Sequence, residues 1–250
     1  MTLKIKNLSG GYHGVAVIKN LNLEIKPGEA VGLIGLNGAG KSTTIKHILG
    51  LLRPQKGLIS LNGLELTKNP DKFKQQLAYI PEVPVLYPEL TLKEHIDLTI
   101  LAYELNPEKA WKKANELLKI FRLDNKLDWL PIHFSKGMKQ KVMLITAFMT
   151  DAELLVIDEP FTGLDPLSAL SLTKLINKAI QDGRMVLMTS HVLSEVQTTI
   201  SKFAVLNNGC VEASGSLDEI KHHYGLSSSD SFDKIYEILS REQVQNGWIS

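Results

Sequence analysis

The stretch "AVGLIGLNGAGKSTTIKHILGL", Ala30 to Leu51, decides the fold. Ala30 to Ile34 form a short apolar run without polar alternation, which reads as a strand buried on both faces. Gly35, Leu36, Asn37, Gly38, Ala39, Gly40, Lys41, Ser42 and Thr43 then satisfy the pattern G-x-x-x-x-G-K-[ST], and a helix is expected from Lys41 to about Leu52. A glycine loop between a buried strand and a helix is a phosphate cradle. Its backbone N–H groups close around phosphate oxygens at the positive end of the helix, Lys41 reaches the β- and γ-phosphates, and the Ser42 hydroxyl serves Mg²⁺.

The rest of the chain supplies the sheet for that strand. "LLVIDEP" gives four apolar residues and then Asp158 and Glu159, two carboxylates emerging together at a buried strand's end. Beside a triphosphate, the first can hold Mg²⁺ and the second can orient and deprotonate an attacking water. Leu154 to Ile157, Met185 to Thr189 and Phe203 to Leu206 are short apolar runs separated by helical patterns, which predicts a parallel sheet. Ahead of the loop, Leu3, Ile5, Leu21, Leu23 and Ile25 alternate with polar residues around turn signals, which predicts antiparallel strands. From Glu89 to Met149 the pattern is mostly helical, with Trp111, Leu117, Leu118 and Phe121 at helical spacing. After Tyr224, "GLSSSD" reads as a linker, and Phe232, Ile235, Ile238 and Leu239 fall on one face of a short amphipathic helix.

Totals narrow the function classes. With 28 basic and 27 acidic residues the net charge is +1, so no overall field draws the chain to nucleic acid or anionic lipid. Cys210 is the one cysteine, which excludes an internal disulfide and a cysteine metal cage and fits a reducing compartment. The start "MTLKIKNLSGG" has no apolar leader segment, and runs such as "VMLITAFM" fall short of the roughly 18 residues a spanning helix needs.

A last stretch, "HFSKGMKQKVMLI" from His133, places a small polar cap and a glycine before a helix whose first turns carry Lys136, Lys139 and Lys141. Such a helix start attracts an anion. It stands about twenty residues before Asp158 and Glu159, "FTGLDP" follows them, and "MTSH" ends a later apolar run at His191. This order of elements, over residues 1 to about 225, resembles the ATP-binding subunit of an ABC transporter. The stretches "YIPEVPVLYPELTLKEH" and "IDEPFTGLDP" are similar in particular to the Ecs-type bacterial exporter ATPases.

The resemblance implies an α/β P-loop NTPase with an antiparallel β subdomain and an inserted α-helical subdomain at about 84–150, then a helical extension at 226–250. It implies ATP and Mg²⁺ as ligands, with Ser42, Glu82 and Asp158 at the metal, Glu159 as general base and His191 touching the γ-phosphate. Tyr12 matches the aromatic that stacks on adenine. Ser135, Lys136, Gly137 and Met138 match the signature that binds the γ-phosphate of ATP held by a second copy, and Asp165 matches the loop crossing that interface. Two departures stand out. The usual Leu-Ser-Gly-Gly-Gln is Phe134-Ser135-Lys136-Gly137-Met138, and Glu82 replaces a glutamine that links Mg²⁺ to the membrane partner. The expected assembly is a homodimer on a separate multi-span permease at the cytoplasmic face of the membrane, exporting peptides. The rival is a soluble ABC-type ATPase acting on DNA or ribosomes, which would normally carry two nucleotide domains or a long coiled-coil insertion. A small-molecule P-loop kinase would leave Ser135, Gly137 and His191 without a task.

Overall fold

A computed structural model of the chain describes residues 1–190 and 199–245. Two sheets organise it. The first is antiparallel, in the order β2-β1-β4-β5, from β1 (Leu3–Tyr12), β2 (Val15–Ile25), β4 (Lys56–Leu61) and β5 (Leu64–Glu65). The pairing of Leu3 with Ile25 and Ile5 with Leu23 puts the alternating apolar residues on one face, as the period-two pattern requires.

The second sheet has the order β10-β9-β3-β8-β7-β6, built from β3 (Ala30–Ile34), β6 (Leu77–Ile80), β7 (Leu154–Asp158), β8 (Met185–Thr189), β9 (Lys202–Asn207) and β10 (Cys210–Gly215). All neighbours run parallel except β10, which is antiparallel to β9 at the edge. Its central strands are apolar throughout because both faces are covered. Val31, Leu33, Leu154, Val156, Met185 and Leu187 point to a core shared with the antiparallel sheet and α1 (Lys41–Ile48). Ala30, Ile34, Leu155, Ile157, Val186 and Met188 point to the opposite core, lined by helices. Residue-by-residue alternation therefore exists, but between two dry faces.

Those helices are α3 (Leu92–Ala102), α4 (Pro107–Phe121), α5 (Lys136–Phe148) and α6 (Pro166–Gln181). Each starts on a side-chain cap: Thr91 and Glu94 form a reciprocal capping box on α3, Asn106 caps α4, Ser135 caps α5 and Asp165 caps α6. Each cap supplies an acceptor for N–H groups that a helix cannot satisfy itself, worth about 1 kcal/mol. Two shorter α-helices, α2 (Pro70–Gln75) and α7 (Leu217–His223), and a 3-10 helix at Pro131–His133 complete the described elements before the tail.

One local expectation needs correction. The helix after the glycine loop ends at Ile48, not near Leu52. Gly50 turns left-handed at φ 71°, and the N–H groups of Leu51 and Leu52 both reach back to the Lys46 carbonyl, closing the helix a turn early. In the tail, Phe232, Ile235 and Leu239 on α8 (Lys234–Gln245) and its approach are at most 5% exposed, and Ile238 beside them is partly buried. The three buried side chains join the helix-lined core, with the Phe232 ring edge-on to Phe203 of β9 at 5.0 Å between centroids. Each such burial stabilises by about 1.5–3 kcal/mol relative to exposure. Among the described residues no helix is long and apolar enough to cross a membrane.

Candidate functional site

The glycine loop lies where β3 hands over to α1. Gly40 sits at φ 109°, and no side chain caps α1 nor does any acidic residue occupy its first turn. The first N–H groups of this helix are thus left to an anion, and a negative side chain does not compete for it. Gly35 is required for a different reason: a Cβ there would lie 2.3 Å from the Leu206 carbonyl oxygen of β9. The loop is tied down from behind, since the Gly209 N–H donates to the Ala39 carbonyl and the Ala39 N–H to the Leu36 carbonyl. Ala39 itself is buried, with its side chain in the core, so of the loop residues its contribution is to shape the turn.

Lys41 donates from Nζ to the carbonyls of Gly35 (2.6 Å) and Leu36 (3.2 Å), folding over its own loop. Burial holds its pKa below the ordinary lysine value, while the charges of Glu159 and Asp158 act in the opposite sense. Ser42 is exposed and Thr43 buried, both at the head of α1.

Asp158 and Glu159 leave the end of β7 beside the end of β8. The Thr189 hydroxyl donates a short hydrogen bond to Asp158 Oδ1. Glu159 adopts a left-handed backbone, φ 48°, and its N–H lies 3.3 Å from both the carbonyl and the hydroxyl oxygen of Thr189. A non-glycine residue in that conformation is held there by its surroundings. Tyr79 of β6 faces the Asp158 carboxylate: burial first, then the charge of Asp158, push its phenol up to about 12. Thr189 and Tyr79 were missed in the sequence, although Thr189 lies within the quoted "MTSH". His191, the expected γ-phosphate contact, lies outside the described residues.

One cleft of about 560 Å³ unites these groups. Its walls carry Tyr12, Leu36, Asn37, Gly38, Gly40, Lys41, Ser42, Thr43, Glu82, Asp158 and Glu159, drawn from both sheets and three connecting segments. Tyr12, 37% exposed at the end of β1, marks one rim, and its hydroxyl accepts a hydrogen bond from Lys46 Nζ at 3.1 Å. That bond, more than burial, sets the direction of its pKa shift, which is downward. Glu82 is exposed on the loop after β6, just beyond Pro81, whose carbonyl accepts a hydrogen bond from the buried Gln140 of α5. The oxygen donors gathered here, a hydroxyl and carboxylates beside a phosphate cradle, fit Mg²⁺, which takes few protein ligands and completes its shell from phosphates and water. Among the described residues no group of three or more His, Cys, Asp and Glu forms a self-sufficient metal cage.

Ser135, Lys136 and Gly137 do not line this cleft. Ser135 and Lys136 are exposed at the start of α5, where the Met138 N–H donates to Ser135 Oγ at 3.2 Å. The Met138 side chain is partly buried against the helix-lined core. Gly137 packs so closely on the loop after Glu159 that a Cβ would lie 2.6 Å from the Gly163 carbonyl oxygen. Further along that loop, Asp165 caps α6 through Ser168 and accepts an ion-paired hydrogen bond from Lys141 of α5 at 2.7 Å. The Lys141 ammonium, and then Ser168, hold the Asp165 carboxyl well below the usual carboxylate range. The start of α5 and the 161–165 loop thus form one clamped unit.

Comparisons with known proteins point to one family. The family model described as "ABC transporter" matches residues 18–162. The chain is 48% identical over 242 residues to the ABC-type transporter ATP-binding protein EcsA of Bacillus subtilis, covering 97% of this chain and 98% of that protein. It is 30% identical over 220 residues to the bacitracin transport ATP-binding protein BcrA of Bacillus licheniformis, covering 88% of this chain and 71% of that one. Among solved structures, an ATP-binding subunit of an ABC transporter superposes with a TM-score of 0.92 at 46% identity, covering 96% of this chain and 100% of that chain. A dimeric ATP-binding cassette in a post-hydrolysis state, bound to ADP and Pi, superposes with a TM-score of 0.76 at 26% identity, covering 86% of this chain and 98% of its own.

Proposed function

The chain belongs to the ABC transporter family as an ATP-binding, ATP-hydrolysing protein, and we propose that two copies form an ATP-driven pair powering a separate multi-span membrane subunit. The pair sits at the cytoplasmic face of a bacterial membrane and drives export, with peptides as the cargo. The cargo reading rests on the likeness to Ecs-type ATPases. The observation that carries the mechanism is the division of the site: the cleft holds the phosphate cradle and both carboxylates, while Ser135 and Lys136 stand exposed elsewhere at an anion-ready helix start.

ATP enters with adenine against Tyr12 and its phosphates on the N–H groups from Asn37 to Thr43, and Lys41 exchanges its two carbonyl partners for phosphate oxygens. Ser42, Asp158 and Glu82 would hold Mg²⁺, which would neutralise charge on the phosphates. Glu159 accepts the proton of the attacking water, held by its Thr189 contacts in a backbone conformation that aims its side chain into the cleft. His191 contacts the γ-phosphate. The helix start at Ser135, Lys136 and Gly137 closes on the γ-phosphate held by the second copy, and Asp165 steadies the loop between the two sites. Glu82 and the neighbouring helical segment lie at the membrane subunit.

Mixing two inactive chains tests this. Lys41→Ala spoils the cradle. Ser135→Asp keeps an equally good helix cap but sets a carboxylate against the incoming phosphate. Each alone is expected to be nearly inactive. A mixed dimer holds one site with an intact cradle facing an intact helix start, so mixing should restore part of the ATPase rate. Verified mixed dimers that stay inactive, alongside an active tandem-linked dimer with one wild-type site, would remove the shared-site reading.

A further inference from the structure

The tail helix α8 reaches the end of β8, beside the acidic pair. Phe232, Ile235 and Leu239 seat it in the helix-lined core, and Tyr236 is partly buried against the same core. The Tyr236 hydroxyl donates to the Ser190 carbonyl at 3.3 Å. Ser190 is 3% exposed and directly follows Thr189, the last residue of β8. Thr189 receives the Glu159 N–H and donates to Asp158. The last residue of β8 and the one after it are therefore held from two sides: Thr189 by the acidic pair, Ser190 by the tail. The phenol lies near Glu159 itself. Burial, and then the negative charge of Glu159, push its pKa up to about 12, partly offset by the Gly35 backbone N–H. At any ordinary pH it is a neutral hydroxyl donor.

We propose that Tyr236 is a positioning residue for ATP hydrolysis: its hydroxyl pins the Thr189–Ser190 strand end and thereby sets the place of Glu159. The tail is then a working part of the site, and any movement of α8 is transmitted to the attacking-water side of the cleft. The geometry is short enough for that. One hydrogen bond and one peptide unit separate the phenol from the residue that holds the Glu159 backbone. Small displacements of a general base have large effects on rate, because proton transfer depends steeply on its distance to the water. The proposal rests on the reading of Glu159 as the base.

Tyr236→Phe in the full chain tests it, since the ring and its packing stay and only the hydroxyl is lost. We expect kcat for ATP to fall about three- to tenfold, with KM for ATP and binding of a fluorescent ATP analogue unchanged and Tm lowered by only a few degrees, as the loss of one buried hydrogen bond requires. In a Glu159→Gln background the same change should leave the residual rate unaltered, because the group it positions is already gone. An unchanged kcat in Tyr236→Phe beside an inactive Glu159→Gln overturns the positioning role and leaves the base reading standing. Equal falls in both backgrounds, or a Tm loss that accounts for the lost activity, also overturn it. A Glu159→Gln chain that turns over near the parent rate removes the base reading, and the present proposal with it.

Discussion

Gly137→Ala sets two physical effects of opposite sign against each other. The glycine has ordinary helical backbone angles, since it is absent from the left-handed residues, and it lies in the first turn of α5. Considered locally, a methyl group there should stabilise by about 0.4–1 kcal/mol, through helix propensity and a less flexible unfolded chain. The tertiary contact says otherwise. The new Cβ would stand 2.6 Å from the Gly163 carbonyl oxygen, about 0.8 Å short of the distance of 3.4 Å at which ordinary contact begins. The opposing atom belongs to the backbone, so no rotamer change relieves the overlap. Its loop is anchored downstream by the Asp165 cap and by the Lys141 ion pair. Overpacking of this kind costs about 1–3 kcal/mol, so at mid-range it exceeds the local gain by about 1.3 kcal/mol. A chain of this size loses about 2–4 °C of Tm per kcal/mol, so the variant should melt about 3–5 °C lower. Because the displaced parts are the helix start and the 161–165 loop, ATPase turnover should fall about tenfold or more, while ATP binding by the chain's own cradle stays intact. Thermal unfolding and nucleotide binding measured on the same preparation decide between the effects. A Tm equal to or above that of the parent would refute the reasoning, because it would mean that the loop yields freely and only propensity remains.

Glu159→Gln should lower kcat by about a hundredfold or more while preserving ATP binding, so that dimers accumulate with Mg·ATP on size exclusion; a rate close to the parent's would remove Glu159 as the base. Glu82→Gln should largely keep ATPase activity, because an amide oxygen still serves a hard cation, whereas Glu82→Ala should impair it. Intact hydrolysis and coupling in the alanine variant would take Glu82 out of the metal site. Asp165→Asn keeps the α6 cap but removes the ion pair with Lys141. The folded pKa of Asp165 is depressed, so its contribution is present above the unfolded value of about 3.9 and is lost as pH falls through the folded value. With the carboxylate half-exposed, that contribution is below about 1 kcal/mol. The Tm difference between parent and variant should therefore be small at pH 7, shrink in high salt and vanish well below about pH 4; a difference that grows on acidification would contradict the assignment.

How legible each part was follows from the range of the interactions involved. The glycine loop, Asp158 with Glu159, and the capped start at Ser135 are each written in one short segment, and their chemistry needs only neighbours in the chain. The apolar runs of β3, β7 and β8 were likewise visible, since a strand covered on both faces has no polar positions to hide it. By contrast, α1 was read a turn too long, because Leu49, Leu51 and Leu52 continue the apolar pattern past the left-handed Gly50. The tail was recognised as amphipathic, but nothing in its pattern distinguishes a solvent-facing tyrosine from one that meets Ser190.

By itself, then, the sequence determined the α/β class, the phosphate cradle, the acidic pair and the family, because each depends on residue types at fixed short spacing. Only the tertiary structure decided that Thr189 holds Glu159 and Asp158, that Gln140 braces the loop before Glu82, that Gly137 abuts Gly163 while Lys141 clamps Asp165, and that the tail returns to the end of β8. These contacts join residues 24 to 59 positions apart in the chain. They form because two cores fix the sheet order and the helices around it, and a sequence pattern records which face of an element is apolar without recording which element that face will meet.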